Sequence, residues 1–343
     1  METLLHIVQF FAQTLIIVTA IVVILITIGG LIAKAKLQKS FKIEILNEKL
    51  EEQTEAIKEV FLSEGQLKVH HKKQKAADKE KAKKIDDGTY YKGKVFVLDF
   101  LKGDIKASAS EHLRNEISAV LGVATPDDEI IVRVESPGGL VHGYGFAAAQ
   151  LVRIRDAKIP LTVCVDHVAA SGGYLMACTA NKIIASPFAL IGSIGVVAQV
   201  PNFNRLLKKY DVDYKEYTAG DYKRTVSLFG EITAKGEEKF KEQLQLTHDM
   251  FKHFVGHFRP QLDMEKIATG EYWYGEMAQK LGLVDQIMTS DEYLVTKAAT
   301  HQVIQLSFET KPTLSEKLSQ ALSMTLTQVL SRFISENHSN KSI

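Results

Sequence analysis

The run Ile130-Ile131-Val132-Arg133-Val134-Glu135-Ser136-Pro137-Gly138-Gly139 is answered, one helical pattern later, by Leu161-Thr162-Val163-Cys164-Val165-Asp166-His167-Val168-Ala169-Ala170-Ser171-Gly172-Gly173. Each is a short apolar run that ends in a glycine turn, as a buried strand should. Val95–Leu101 (VFVLDFL) is a third run of the same kind. Helical patterns over Glu111–Leu121 and Val141–Ile154 separate the three. Strands alternating with helices predict an α/β fold with a parallel sheet and right-handed crossovers. Beyond Val200 the pattern turns helical, notably over Lys235–Phe258, and Gly282-Leu283-Val284-Asp285 reads as a strand entry. Ile183–Val200 is uncharged throughout, but Pro187, Gly192, Ser193 and Gly195 interrupt it. It reads as a buried strand–turn–strand rather than a membrane span.

The two glycine turns are where chemistry is expected. A parallel sheet presents functional groups at the carboxyl ends of its strands. Glycines there let backbone N–H groups face a ligand without an intervening Cβ. Side by side, the two turns would make an oxyanion hole for an acyl carbonyl. Ser171 is then the natural nucleophile, because the small-residue helix expected over Gly172–Ala180 favours a developing negative charge at its N-terminus. The competing reading is that Ser171 merely caps that helix. No GxSxG elbow occurs, so an α/β-hydrolase is not indicated.

A serine hydroxyl needs a base. Asp166 and His167 lie close in sequence, but adjacent residues on a strand end point in different directions, which makes a linear relay awkward. His142 follows the first glycine turn. A neutral lysine is the other option, workable when burial depresses its pKa from about 10.4. Composition selects no single lysine.

Five segments carry a resemblance: Ser136–Gly139 (SPGG), Ala169–Tyr174 (AASGGY), Ile191–Val196 (IGSIGV), Ala219–Arg224 (AGDYKR) and Tyr274–Asp285 (YGEMAQKLGLVD). In this order and spacing they resemble the signal peptide peptidase A family of serine peptidases. The resemblance implies a ClpP/crotonase-like superhelical β-β-α fold and a Ser–Lys dyad acting through an acyl-enzyme. It places the nucleophile on Ser171 and the general base on Lys223. It also implies an oxyanion hole from Gly138 or Gly139 with Gly172, and a lysine-orienting role for Ser193. A ring-like homo-oligomer is implied too, with catalytic groups near subunit interfaces. The expected substrates are hydrophobic or signal-peptide-like peptides.

The N-terminus fits that resemblance. Between Glu2 and Lys34 lie 31 residues without Lys, Arg, Asp or Glu, enough for one tilted membrane helix. The acidic start and the length of the run argue for an uncleaved anchor rather than a signal peptide. The expected location is the bacterial inner membrane, with lipid as a partner. Lys34, Lys36, Lys39 and Lys42 after the span place the following chain in the cytoplasm, whereas the family commonly works on the outer side, so the side stays open. The expected organisation is an anchor at 1–33, a charged helical stalk or linker at 34–92, the peptidase domain at 93–300, and an amphipathic helix and tail at 301–343.

Within the stalk, Ile43, Leu46, Leu50, Ile57 and Val60 recur at heptad-like spacing. Lys72 to Lys84 holds seven lysines and reads as a solvated or disordered linker, a membrane-surface or nucleic-acid patch being the sharper alternative. No aromatic interleaves, and net charge is +1, so no nucleic-acid partner is expected. Cys164 and Cys178 read as buried packing thiols. No metal-ligand spacing occurs, and neither metal nor cofactor is expected. Two other readings of the whole chain are a catalytically silent membrane scaffold and an acyl-CoA enzyme of the crotonase type, though the latter would favour acidic catalytic residues.

Overall fold

The computed structural model describes residues 39–310. Residues 43–307 form one compact unit. The remaining described residues, 39–42 and 308–310, belong to a second unit, in which the Phe41 and Phe308 rings meet edge to face at 5.1 Å.

The three apolar runs form adjacent strands of one parallel sheet: β2 (Lys94–Phe100), β3 (Glu129–Val134) and β4 (Leu161–Val165). β1 (Lys39–Ile45) precedes them in the chain. Outward from β4 lie β6 (Lys182–Ala185) and β9 (Gln286–Ile287), and β10 (Gln302–Thr310) flanks β2, all parallel. Successive strand residues point to opposite faces, and the two faces of this sheet are buried in different clusters. Phe96, Leu98, Phe100, Ile130, Val132, Val134, Leu161 and Val163 face the larger core. Val95, Val97, Ile131, Cys164, Ile184 and Val303 face a smaller one under Tyr293 and Leu294. Burial on both faces explains why these strands read as continuous apolar runs rather than alternating ones. The larger core is roofed by helices Ser110–Leu121 and Val141–Asp156, which contribute Leu113, Ile117, Tyr144, Leu151 and Ile154.

A second, smaller sheet sits at the carboxyl ends of the first. It is made of β5 (Val168–Ala170), β7 (Leu190–Gly192) and β8 (Tyr272–Tyr274), with β5 parallel to β7 and β7 antiparallel to β8. After β4 the chain bends at Asp166-His167 into β5, and after β6 it bends again into β7. Ser136 beyond β3 makes the equivalent step as a parallel bridge to Ala169, through Ser136 N–H to Val168 O (2.8 Å) and Ala170 N–H to Ser136 O (3.0 Å). The strand–turn–strand expected over 183–200 is β6 and β7.

The lysine-rich segment is not an unstructured linker. Glu64–Asp86 is a helix of 23 residues, opened by a capping box between Ser63 and Gln66. It pairs with helix Leu46–Phe61 as a hairpin, tied by His70 Nε2 to Glu55 (2.5 Å), by His71 to Glu59 (3.2 Å) and by Lys81 to Glu51. Its root is fixed by the buried Asn47, whose amide donates to Ala298 O and His301 O and accepts from Val303 N–H. Both cysteines are free and buried, as read from sequence, and burial pushes the Cys164 thiol up to about 12.

Among the described residues no helix is long and apolar enough to cross a membrane. The anchor expected at 1–33 lies outside the described residues. So does most of the segment 301–343 expected to hold an amphipathic helix, whose described beginning is the strand β10.

Candidate active site

Ser171 occupies the junction between β5 and helix Gly172–Ala177 with φ 51° and ψ −117°. A helix cap has negative φ and extended ψ, and the Ser171 side chain makes no capping hydrogen bond. The capping role weighed from sequence therefore does not describe this residue. A non-glycine backbone so far from the favoured regions stores strain of about 1–3 kcal/mol, which surrounding structure must hold in place. Here Ser171 N–H donates to Gly192 O (2.7 Å) and Ser171 O accepts from Leu175 N–H (2.9 Å).

The two glycine turns are in contact. A Cβ built on Gly138, at φ +90°, would lie 2.7 Å from both Gly172 N and Ser171 Cβ. One on Gly172 would lie 2.3 Å from Tyr144 Cγ, and one on Gly173 would lie 2.5 Å from Ser136 O. These glycines are required by close approach of backbone to backbone and to a buried ring.

The structure separates the two glycines of the first turn. Gly138 N–H donates to Ser136 Oγ (3.1 Å). Ser136 Oγ–H donates in turn to Tyr144 Oη (2.5 Å), whose own hydroxyl donates to Asp104 O (2.7 Å). Ser136 and Tyr144 are fully buried, so this chain of hydroxyls is shielded from water. Gly139 and Gly172 N–H have no acceptor among the described residues. Both line, with Ser171, a cleft of about 400 Å³ walled by Val141, Leu175, Val196, Met250 and Phe254. Sequence reasoning missed Ser136 and Tyr144. A tyrosine within a helical run carries no sign that its hydroxyl reaches a turn eight residues away.

Ser193 follows β7 at φ 52°, with its N–H bonded to Glu271 O (2.6 Å), one residue beyond the carbonyl that holds Ser171. Lys223 is not brought to the cleft within this chain. It is exposed, on the largely irregular segment between β7 and helix Ala234–Phe258, where its N–H bonds Gly220 O (3.1 Å). Of its neighbours, Arg224 pairs with Glu216 at 2.9 Å. Lys208, on the same segment, pairs with Glu231. The alternative bases do not meet Ser171 at the cleft. The Asp166 carboxylate is taken by the N–H and hydroxyl of Ser290, and neither His167 nor His142 lines the cleft.

Comparison with known proteins decides the lineage. The sequence profile of Peptidase family S49 matches residues 153–305, and that of the Peptidase family S49 N-terminal region matches residues 2–151. The chain belongs to peptidase family S49. It is 46% identical over 331 residues to the probable protease SohB of Haemophilus influenzae, covering 92% of this chain and 93% of that one. It is 42% identical over 307 residues to the probable protease SohB of Buchnera aphidicola subsp. Schlechtendalia chinensis, covering 87% of this chain and 100% of that one. Membership in S49 makes the protein a peptidase, and it fits a site built around a strained serine beside two unpaired backbone amides.

Proposed function

We propose that this S49 peptidase is a membrane-anchored serine endopeptidase. Its nucleophile is Ser171, and its general base is Lys223 supplied by a neighbouring copy of the chain. The reading rests on one observation above all: Ser171 is held in a strained turn at the wall of an apolar cleft, beside the free amides of Gly139 and Gly172. In this reading the fold is the ClpP/crotonase-like superhelix, a view supported by the repeated step from a long sheet strand to a short strand of the second sheet and then to a helix.

The chemistry follows from the parts. Lys223, neutral once covered, takes the proton of Ser171 Oγ as that oxygen attacks the scissile carbonyl. The tetrahedral oxyanion lies between the N–H groups of Gly139 and Gly172, which are aimed before the charge develops. The lysine ammonium then protonates the leaving amine, and a water repeats the sequence on the serine ester. Ser193 orients the lysine. Gly138 shapes the turn rather than donating, because its amide is engaged by Ser136. The cleft walls suit an apolar side chain of a hydrophobic or signal-peptide-like substrate. Residues 1–33, by their sequence, anchor the enzyme in the bacterial inner membrane.

The case for a neighbouring copy comes from exposure. A lysine in water keeps its proton at neutral pH and is no base. The segment carrying Lys223 also exposes Val197, Phe203, Leu206, Tyr210, Tyr214 and Tyr217, an apolar surface fit for self-association into a ring. The test is turnover of a fluorogenic hydrophobic peptide by Ser171→Ala and Lys223→Ala. Each is expected to lose at least ~1,000-fold in kcat while keeping wild-type oligomer size and melting temperature. Turnover near wild type in either variant sinks the dyad.

A further inference from the structure

Most lysines of the hairpin fall into two groups. Lys49, Lys58, Lys81 and Lys84 each pair with a glutamate. Lys68, Lys72, Lys75, Lys79 and Lys83 are exposed and pair with no carboxylate among the described residues. Their spacing of four, three, four and four residues puts all five on one stripe of helix Glu64–Asp86. At about 100° per residue that stripe is nearly opposite His70 and Lys81, the side chains that reach across to helix Leu46–Phe61. Glu64 and Asp86 bound the stripe at its ends, and no acid interrupts it.

Folding alone does not account for this. Lysines four apart repel, and Lys68 with Lys72, Lys75 with Lys79, and Lys79 with Lys83 are three such pairs. A helix selected only for its own stability would alternate glutamate with lysine along that face, as the acidic partner helix allows on the inner one. A local rule broken without a compensating contact in the chain points to a contact outside it.

The tip of the hairpin narrows the choice of partner. Val60 and Phe61 are each 80% exposed, and Ile57 and Val69 are exposed beside them. Apolar side chains at one end of a lysine stripe suit the boundary between headgroups and acyl chains. They do not suit nucleic acid, and the helix has no Phe, Tyr or Trp on which a base could stack. The chain itself leads to the same surface. The uncharged run of residues 3–33 ends shortly before β1, and β1 runs directly into helix Leu46–Phe61.

We propose that the lysine stripe of the hairpin binds the anionic headgroups of a lipid bilayer, with Phe61 and Val69 seated at the interface. The proposal rests on the anchor reading of residues 1–33 for proximity, and it adds a surface contact that fixes the hairpin against the membrane.

The test uses the full chain with Val69→Cys carrying an environment-sensitive fluorophore, since both native cysteines are buried. It is placed in nanodiscs of phosphatidylcholine alone or with phosphatidylglycerol. In the anionic discs the emission should shift to the blue, and iodide quenching should fall about five-fold, a change lost at high salt. The K68Q/K72Q/K75Q/K79Q/K83Q variant keeps helix-forming side chains and should behave in anionic discs as the parent does in neutral ones. Equal emission in both lipids, with the chain incorporated in both, overturns the stripe and leaves the anchor. Association with anionic discs but not neutral ones overturns the anchor and supports the stripe. A response to a short oligonucleotide in place of lipid overturns the proposal.

Discussion

At the scale of single residues, the site depends on side chains that brace its backbone. Ser171 holds an unfavourable backbone conformation, so its neighbours must over-determine it. Tyr144 is the residue on which this converges. Its ring excludes any side chain at position 172, and its hydroxyl ends the chain that fixes Gly138 through Ser136. Tyr144→Phe keeps the ring and removes the hydroxyl. Ser136 then loses its acceptor at a fully buried position, and Asp104 O loses its donor. The expected loss is about 1–3 kcal/mol of stability in urea titration. Because the turn positions the Gly139 amide, kcat should fall ~10-fold with KM for a short peptide changing less than ~2-fold. A raised KM with kcat intact would place the tyrosine in substrate binding instead.

At the scale of elements, the strands were legible nearly to the residue, whereas of the hairpin the heptad-like spacing announced helix Leu46–Phe61 but not its partner. β2, β3 and β4 are buried on both faces, and that burial writes itself into the sequence as unbroken Val, Ile and Leu. Helix Glu64–Asp86 has no buried residue, so no apolar period announces it. Its support comes from ion pairs to a second helix and from a capping box, and neither raises a hydropathy signal. The heptad-like residues Ile57 and Val60 are exposed rather than packed in the hairpin. In the site, motif spacing located Ser171 and both glycine turns, but it could not tell Gly138 from Gly139, because the difference lies in one hydrogen bond to Ser136.

The joint between β2 and the turn before β3 gives the pH prediction at this scale. Asp128 accepts from Lys94 N–H (2.9 Å), Thr125 N–H (2.9 Å) and the Thr125 hydroxyl (3.0 Å). Burial by itself would raise its pKa, but these hydrogen bonds outweigh burial and hold the carboxyl below its usual range. A depressed folded-state pKa contributes stability that is present above the unfolded value and lost as pH falls through the folded one. Asp128→Asn should therefore destabilise the protein by about 1–3 kcal/mol at neutral pH. The gap between variant and parent should narrow from about pH 4 downward, where the unfolded chain begins to take up a proton at Asp128, and close as the folded carboxyl follows at lower pH. Urea midpoints across that range check it, and a gap independent of pH would assign the loss to packing.

At the scale of the whole molecule, one chain holds the acylation half of the proposed site and leaves its base in water. Ser171 with the Gly139 and Gly172 amides lines the cleft, while Lys223 stands exposed on a segment rich in uncovered aromatic and aliphatic side chains. A head-to-tail contact between copies joins different surfaces of the same chain and closes into a ring when the rotation permits. Such a contact would bring Lys223 of one copy to Ser171 of the next and remove it from water in the same step. Mixing then distinguishes this arrangement from a dyad within one chain. Ser171→Ala and Lys223→Ala are each expected to be inactive alone and, co-expressed, to assemble together. A site works when a copy with its serine meets a neighbour with its lysine, so random mixing restores about a quarter of wild-type kcat per site. A dyad confined to one chain restores nothing, because every copy in the mixture lacks one of its own two groups. Peptide turnover by the purified mixed oligomer therefore reads directly which copy owns the base.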